Sequence, residues 1–358
     1  MADQPNLPSL AVLVLAALSY VSLFPVRPLP SLGGFFDPVR GVWAVARTAV
    51  LPQHAEGTIP GLHGRVRVFY DLRGVPHIFA TTELDAYRAL GYVVARDRLF
   101  QPDVQTRAAS GTLSELVGPA ALGLDRETRA LGLPRAAEEK LAAVDTTSGA
   151  WRAVEAYADG INAYIDGMGA GDLPLEYRLL GVRPARWKPV NSIHLLDRMG
   201  FTLAYGETEL RRLRVAGVVG DRAADALLSA RAPIQEPLVP NGADAPRVDT
   251  TPLPPPGAPD TAARALAAAL GAAARTVASA ASRPADGIVV GSNNWAVSPG
   301  RTRVKRALLA GDPHLELTLP SIWYEVHLSV PGVLDEYGVT IPGAPSITKL
   351  WSRPFLAA

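Results

Sequence analysis

Residues 232–260 read APIQEPLVPNGADAPRVDTTPLPPPGAPD, and no regular element can run through them. Proline fixes φ and removes an amide donor, so a tract this dense in it sustains neither a helix nor a sheet ladder. The alanine-rich segment that follows, 261–282, reads at most as a loose helix. The stretch from 232 to 286 is therefore expected to be a spacer with a folded half on either side.

The rest of the chain has the means to fold. Of its 358 residues 48% are hydrophobic and 19% charged, a balance that favours a large core over disorder. A net charge of +1 with no basic run offers no electrostatic footprint for nucleic acid, and no such partner is expected. The absence of cysteine excludes disulfides, thiolate zinc sites and cysteine nucleophiles.

At the start, Leu7–Phe24 (LPSLAVLVLAALSYVSLF) carries no charge over 18 residues, the length of a bilayer span. The preceding MADQPN lacks Lys and Arg, and no A-x-A site follows. A buried core helix competes, but the run has no polar face. Residues 1–24 are thus expected to be a membrane anchor or signal, giving a membrane-anchored or exported protein, with 25–45 as a Pro/Gly-rich tether.

Residues 64–80 (GRVRVFYDLRGVPHIFA) alternate apolar and polar positions around the turn signal DLRG, a β-hairpin pattern. From Thr82 to Leu116 the pattern turns helical, with Thr82 and Asp85 spaced as a capping box and Ala86, Leu90 and Val93/Val94 as an apolar stripe. Further helices are expected over 134–144, 149–167, 190–205 and 207–230. Strand-like runs resume after the spacer: GIVV, NWAVSP, ALLAGDP, IWYEVHLSV and YGVTI.

Between the first two of these runs, GIVVGSNNWAV (287–297) places Ser292 in a small polar knot. A serine hydroxyl is a poor nucleophile until a base takes its proton. A nucleophile elbow needs G-x-S-x-G on a strand-to-helix turn, which VGSNN before a second strand does not match. A triad with a partner such as His314 is defined by geometry and stays open. In a third reading the Gly291–Ser292 bond is cut, and the new α-amine, with a free pKa near 7.7–8.0, serves as general base. A serine in a plain hairpin turn is the alternative without chemistry.

SNNWAVSPGRTRVKRALLAGDPHLELTLPSIWYEVHL resembles the start of the β chain of penicillin acylases, a family of N-terminal nucleophile amidohydrolases. YDLRGVPHIFATTELDAYRALGYVVARDRLFQPDVQTRAASGTLSELVG resembles the start of that family's α chain. The two matches fall in the family's order with the spacer between them, and the resemblance covers roughly residues 60–347.

The resemblance implies an α+β fold: a helical α domain plus the beginning of a four-layer αββα sandwich. It divides the chain into an α-chain region at 46–231, a spacer at 232–291, the start of the β chain at 292–347 and a non-family tail at 348–358. It implies an α/β heterodimer matured from one precursor and a small-molecule acyl amide substrate of penicillin, cephalosporin or acyl-homoserine-lactone type. Ser292 falls at the nucleophile, and Gly291 with Ser292 at the autoprocessing bond. His314, in DPHLE, falls where many members carry a histidine near the nucleophile, and its imidazole is expected to orient the hydroxyl or amine. Leu315, Met199 and Leu203 match acyl-pocket positions, the last two four residues apart on one helical face. Plain core roles for Met199 and Leu203 remain equally open. Glu209 matches a ligand of a structural calcium, with a surface glutamate as the alternative. No organic cofactor is implied. Asp312-x-His314-x-Glu316 also suggests a metal site, which the family's chemistry does not need. His77 lies in a family motif, GVPHIFA, and reads as structural; His54, His63, His194 and His327 carry no functional expectation.

After Ile347 the text TKLWSRPFLAA departs from the family's continuation. Both oxyanion donors of the family fall beyond it, so a truncated chain, inactive by itself, is expected, with IWYEVHLSV lacking sheet neighbours. A non-catalytic remnant of such an acylase is the alternative function.

Overall fold

The computed structural model describes residues 7–22, 24, 32–48, 58–169, 171–204, 208–228, 292–315, 317–347 and 349–350. The expected GIVV strand and the spacer lie outside the described residues. Two compact units emerge, residues 1–200 with 289–358, and residues 201–288.

Three helices come first: α1 (Leu7–Ser22), α2 (Leu32–Phe36) and α3 (Val42–Thr48). The hairpin β1 (Arg67–Tyr70) and β2 (Pro76–Phe79) follows, then α4 (Glu83–Arg98), α5 (Phe100–Ser110), α6 (Ser114–Val117), α7 (Leu122–Ala130), α8 (Leu133–Ala143), α9 (Gly149–Gly167), α10 (Leu175–Leu180) and α11 (Pro189–Ala204). Beyond them lie α12 (Thr208–Val219) and α13 (Asp221–Leu227). After the spacer come β3 (Ser292–Val297), β4 (Leu308–Pro313), β5 (Tyr324–Val330), β6 (Leu334–Thr340) and β7 (Lys349–Leu350). The α+β expectation holds.

α1 takes up 16 of the 18 uncharged residues read as an anchor or signal. Among the described residues no helix is long and apolar enough to cross a membrane.

The strands form a five-stranded sheet of order β1-β2-β5-β6-β7 and a two-stranded sheet of β3 and β4. In the larger sheet β2 and β5 are parallel, with His77 opposite His327 and Ile78 opposite Leu328, and the other pairs are antiparallel. Two expectations change. The chain before and after the spacer shares one sheet, so it is not two separate halves. The IWYEVHLSV strand is central, flanked by β2 and β6, and does not lack neighbours.

β5 alternates buried and half-buried residues, and its inner side chains explain the layering. Tyr324, Val326 and Leu328 join Ile78 of β2 in one core with Leu90, Val93 and Val94 of α4 and Tyr157 and Ile161 of α9. Leu90, Val93 and Val94 of the stripe read from the sequence enter this core, and Ala86 packs with Ala80 and Val330. Thr82 caps α4 by accepting the Asp85 amide at 3.2 Å. The Asp85 carboxylate does not complete the expected box; it accepts the amides of His63 at 2.9 Å and Gly64 at 3.0 Å. Burial pushes its pKa up, but these bonds and the Thr82 hydroxyl outweigh burial and hold it below the usual range.

Polar ties fasten the later segment to the earlier helices. The Tyr324 hydroxyl donates to Asp97, and Gln101 donates to the Ser321 carbonyl at 2.9 Å. The Gly343 amide donates to the Tyr157 hydroxyl at 2.9 Å, while Ser192 donates to the Gly343 carbonyl at 2.6 Å. In the second unit Gly220, at φ 83°, breaks the long helix expected over 207–230 into α12 and α13, which Arg212 and Asp225 tie together at 2.8 Å.

α4 and α9 approach so closely that glycine is required at their contact. A Cβ at Gly160 would lie 1.9 Å from the Arg88 carbonyl oxygen, and one at Gly91 2.1 Å from that of Tyr157. Both obstacles are backbone, so relief means separating the helices. Gly160→Ala is expected to destabilise the fold by about 1–3 kcal/mol in urea unfolding. Gly123→Ala, on open surface in α7, should instead stabilise by about 0.4–1 kcal/mol. Equal effects at the two positions would contradict the packing described.

Candidate active site

The two-stranded sheet carries the sequence's leading candidates. β3 runs antiparallel to β4 with Ser292 opposite Pro313, Asn293 opposite Asp312 and Trp295 opposite Ala310. This register sets the first residue of β3 beside the residue that follows β4. The main-chain N–H of His314 donates to Ser292 Oγ at 3.3 Å. The serine oxygen is thereby held while its own proton stays available to a base. Gly291, on the other side of the expected scissile bond, lies outside the described residues.

The imidazole of His314 points elsewhere. Its Nε2 lies 2.7 Å from Asp312 Oδ2 and 3.5 Å from Asn293 Nδ2. The expected hold on the serine thus runs through the main chain of His314, and its ring engages the side chains of Asp312 and Asn293. Asp312 and His314 share a face because strand side chains repeat every two residues. A carboxylate can only accept, so Nε2 carries a proton. With the Asn293 amide turned so that its oxygen faces Nε2, both neighbours accept from the same N–H. Ser292, Asn293, Asp312 and His314 are all exposed.

Sequence reasoning marks Asp312 only as a metal ligand and does not reach Asn293. The D-x-H spacing is the signal for Asp312; Asn293 needs the hairpin register. Glu316 lies outside the described residues, and no group of three or more His, Asp or Glu side chains among the described residues could hold a metal.

The remaining candidates spread over other elements. Leu315 is half-buried, and its amide donates to the Pro313 carbonyl at 3.0 Å. Met199 and Leu203 both lie on α11. Met199 packs against Leu195, Ile341 and Ala344, beside Ile322 and Trp323, which is a core environment. Leu203 is exposed. Glu209 lies in α12, and its side chain, the expected calcium ligand, is outside the described residues.

The chain belongs to the penicillin amidase family, whose model matches residues 65–350. Among its relatives, penicillin acylase 2 proenzyme of Pseudomonas sp. (strain SE83) is 37% identical over 301 residues, covering 84% of this chain and 36% of that protein. Acyl-homoserine lactone acylase QuiP of Pseudomonas aeruginosa is 34% identical over 290 residues, covering 81% of this chain and 32% of its own length. The chain therefore spans about a third of the length of these relatives. A solved penicillin G acylase from Alcaligenes faecalis is 28% identical with a TM-score of 0.41, covering 51% of this chain and 98% of that one.

The hydrogen-bond pattern around His314 has a spectroscopic consequence. Asp312→Ala is expected to move the imidazole ¹⁵N signals of His314 away from the Nε2–H tautomer, with little change in the melting temperature of so exposed a pair. Unchanged signals would show that Asp312 does not set the tautomer.

Proposed function

We propose that this chain carries the nucleophile of an amidohydrolase that removes an acyl group from an amine, with Ser292 as nucleophile and as the N-terminus of a processed β chain. The observation that carries the reading is the setting of Ser292. It opens β3, its oxygen accepts the His314 amide, and the proline-rich tract precedes it. Family membership and relatives named as acylases, one of them a proenzyme, support the same reaction class.

In this reading the Ser292 hydroxyl attacks the Gly291 carbonyl, and the acyl group passes from nitrogen to oxygen. That shift frees the α-amine of Ser292, and water then hydrolyses the ester to the Ser292 hydroxyl and the Gly291 carboxylate. That amine, near pKa 7.7–8.0 when free, takes the hydroxyl proton in each later cycle. Oγ attacks the substrate carbonyl, the amine departs with the proton, and water resolves the acyl-enzyme. His314 contributes the N–H that fixes Oγ. The substrate class is an acyl amide of the penicillin or acyl-homoserine-lactone kind.

The test begins with cleavage. After incubation of the purified protein, N-terminal sequencing should find a new start reading SNNWAV. Ser292→Ala should remain intact, and the same change in a protein of the relatives' full length should abolish amine release from penicillin G or an N-acyl homoserine lactone. His314→Ala keeps the main-chain N–H and should still cleave. Amine release by the Ser292→Ala protein would overturn the assignment.

A further inference from the structure

The sheet face opposite the α4–α9 core holds a second cluster of titratable groups. His77 of β2 and His327 of β5 stand opposite each other across the parallel pair, with Nδ1 3.1 Å from Nδ1. His327 Nε2 lies 2.9 Å from Asp335 Oδ1 on β6, and His77 Nε2 lies 3.8 Å from Asp71 Oδ2 in the β1–β2 turn. Phe79 meets the His327 ring edge-on at 5.5 Å, and the Tyr337 ring lies 6.0 Å from both histidines. Arg73 lies in the same cluster, bonding Glu325 at 2.9 Å and the Tyr337 hydroxyl at 2.6 Å. Both imidazoles are more than half buried, at 27% and 17% side-chain exposure, so solvent does not readily replace their partners.

We propose that His77 and His327 form a single-proton clasp across the β2–β5 seam, closed near neutral pH and opened by acid. The direction of the bonds follows from the acceptors. Asp335 can only accept, so His327 carries its proton on Nε2 and offers a lone pair at Nδ1. His77 must then donate from Nδ1. A first added proton goes to His77 Nε2, where Asp71 faces it, and leaves the clasp intact. A second has only His327 Nδ1 to occupy. There it sets two N–H donors, both on cations, against each other, and the rings must part.

The sign follows from counting protons. The open pair binds one proton more than the closed pair once both separated imidazoles are charged. Opening therefore gains about tenfold for each further unit of acidification. β2 precedes the spacer and β5 follows it, so the clasp joins the two segments that cleavage at Ser292 would make separate chains. That consequence rests on the proposed function; the clasp itself does not.

The test uses Ser292→Ala, which keeps the chain covalent whether or not the wild type is cut. Amide hydrogen exchange, corrected for its intrinsic pH dependence, is followed from pH 7.5 to 5.0. Protection of residues 327–329 should fall on acidification, by up to about tenfold per pH unit, while Val93–Ala95 of α4 keep theirs. His77→Gln and His327→Gln should each remove that dependence. Imidazole ¹⁵N spectra of the protein without these glutamine changes, at pH 7.5, should show His77 protonated on Nδ1 and His327 on Nε2. Flat protection of 327–329, a dependence that survives both glutamine variants, or both rings protonated on Nε2 would overturn the clasp. So would loss of protection on adding EDTA at pH 7.5, since a metal would then bridge the rings.

Discussion

The parallel pairing of β2 with β5 is the constraint on which the rest depends. It brings together residues 250 apart in sequence, His77 and His327. Antiparallel neighbours can be joined by a tight turn, but a parallel pair needs a crossover. Here the crossover takes in α4–α13, the spacer and the β3–β4 hairpin. Closure entropy grows only with the logarithm of loop length, so a long insertion does not forbid the pairing. What fixes it is burial: Ile78 and Leu328 stand opposite each other and enter the same core as Leu90 and Tyr157. A slip of one residue would turn His327 inward and Leu328 outward.

That arrangement gives the spacer its meaning. With β1 and β2 on one side of it and β5–β7 on the other, the sheet holds both segments whatever happens to the tract between them. A cut at Gly291–Ser292 would leave intact the β2–β5 ladder, the Tyr324–Asp97 bond and the two bonds at Gly343. The fold is therefore suited to a processing event within the chain, as the proposed mechanism requires.

Local signals made much of this legible. Thr82 announced the start of α4 and does cap it, and DLRG announced the first hairpin, where Asp71 accepts the amides of Arg73 and Val75. The apolar run at 7–24 was legible as a helix, and α1 takes up residues 7–22 of it. The β2–β5 pairing was not legible, since strand partners far apart leave no periodic trace. For that reason IWYEVHLSV was expected without neighbours and His327 without a role. At the site, Ser292 and His314 were found through resemblance, but the N–H that links them is a main-chain group, and no side-chain pattern reports it.

Severing the spacer tests the central claim, that the segments on either side of it fold as one sheet-centred unit. A site-specific protease sequence placed within 232–260 would be cut in Ser292→Ala protein. The two pieces would then be followed by size-exclusion chromatography and by tryptophan fluorescence during heating. The account predicts that they elute together and lose structure in a single transition. Pieces that elute separately without denaturant, or melt in two independent transitions, would contradict it.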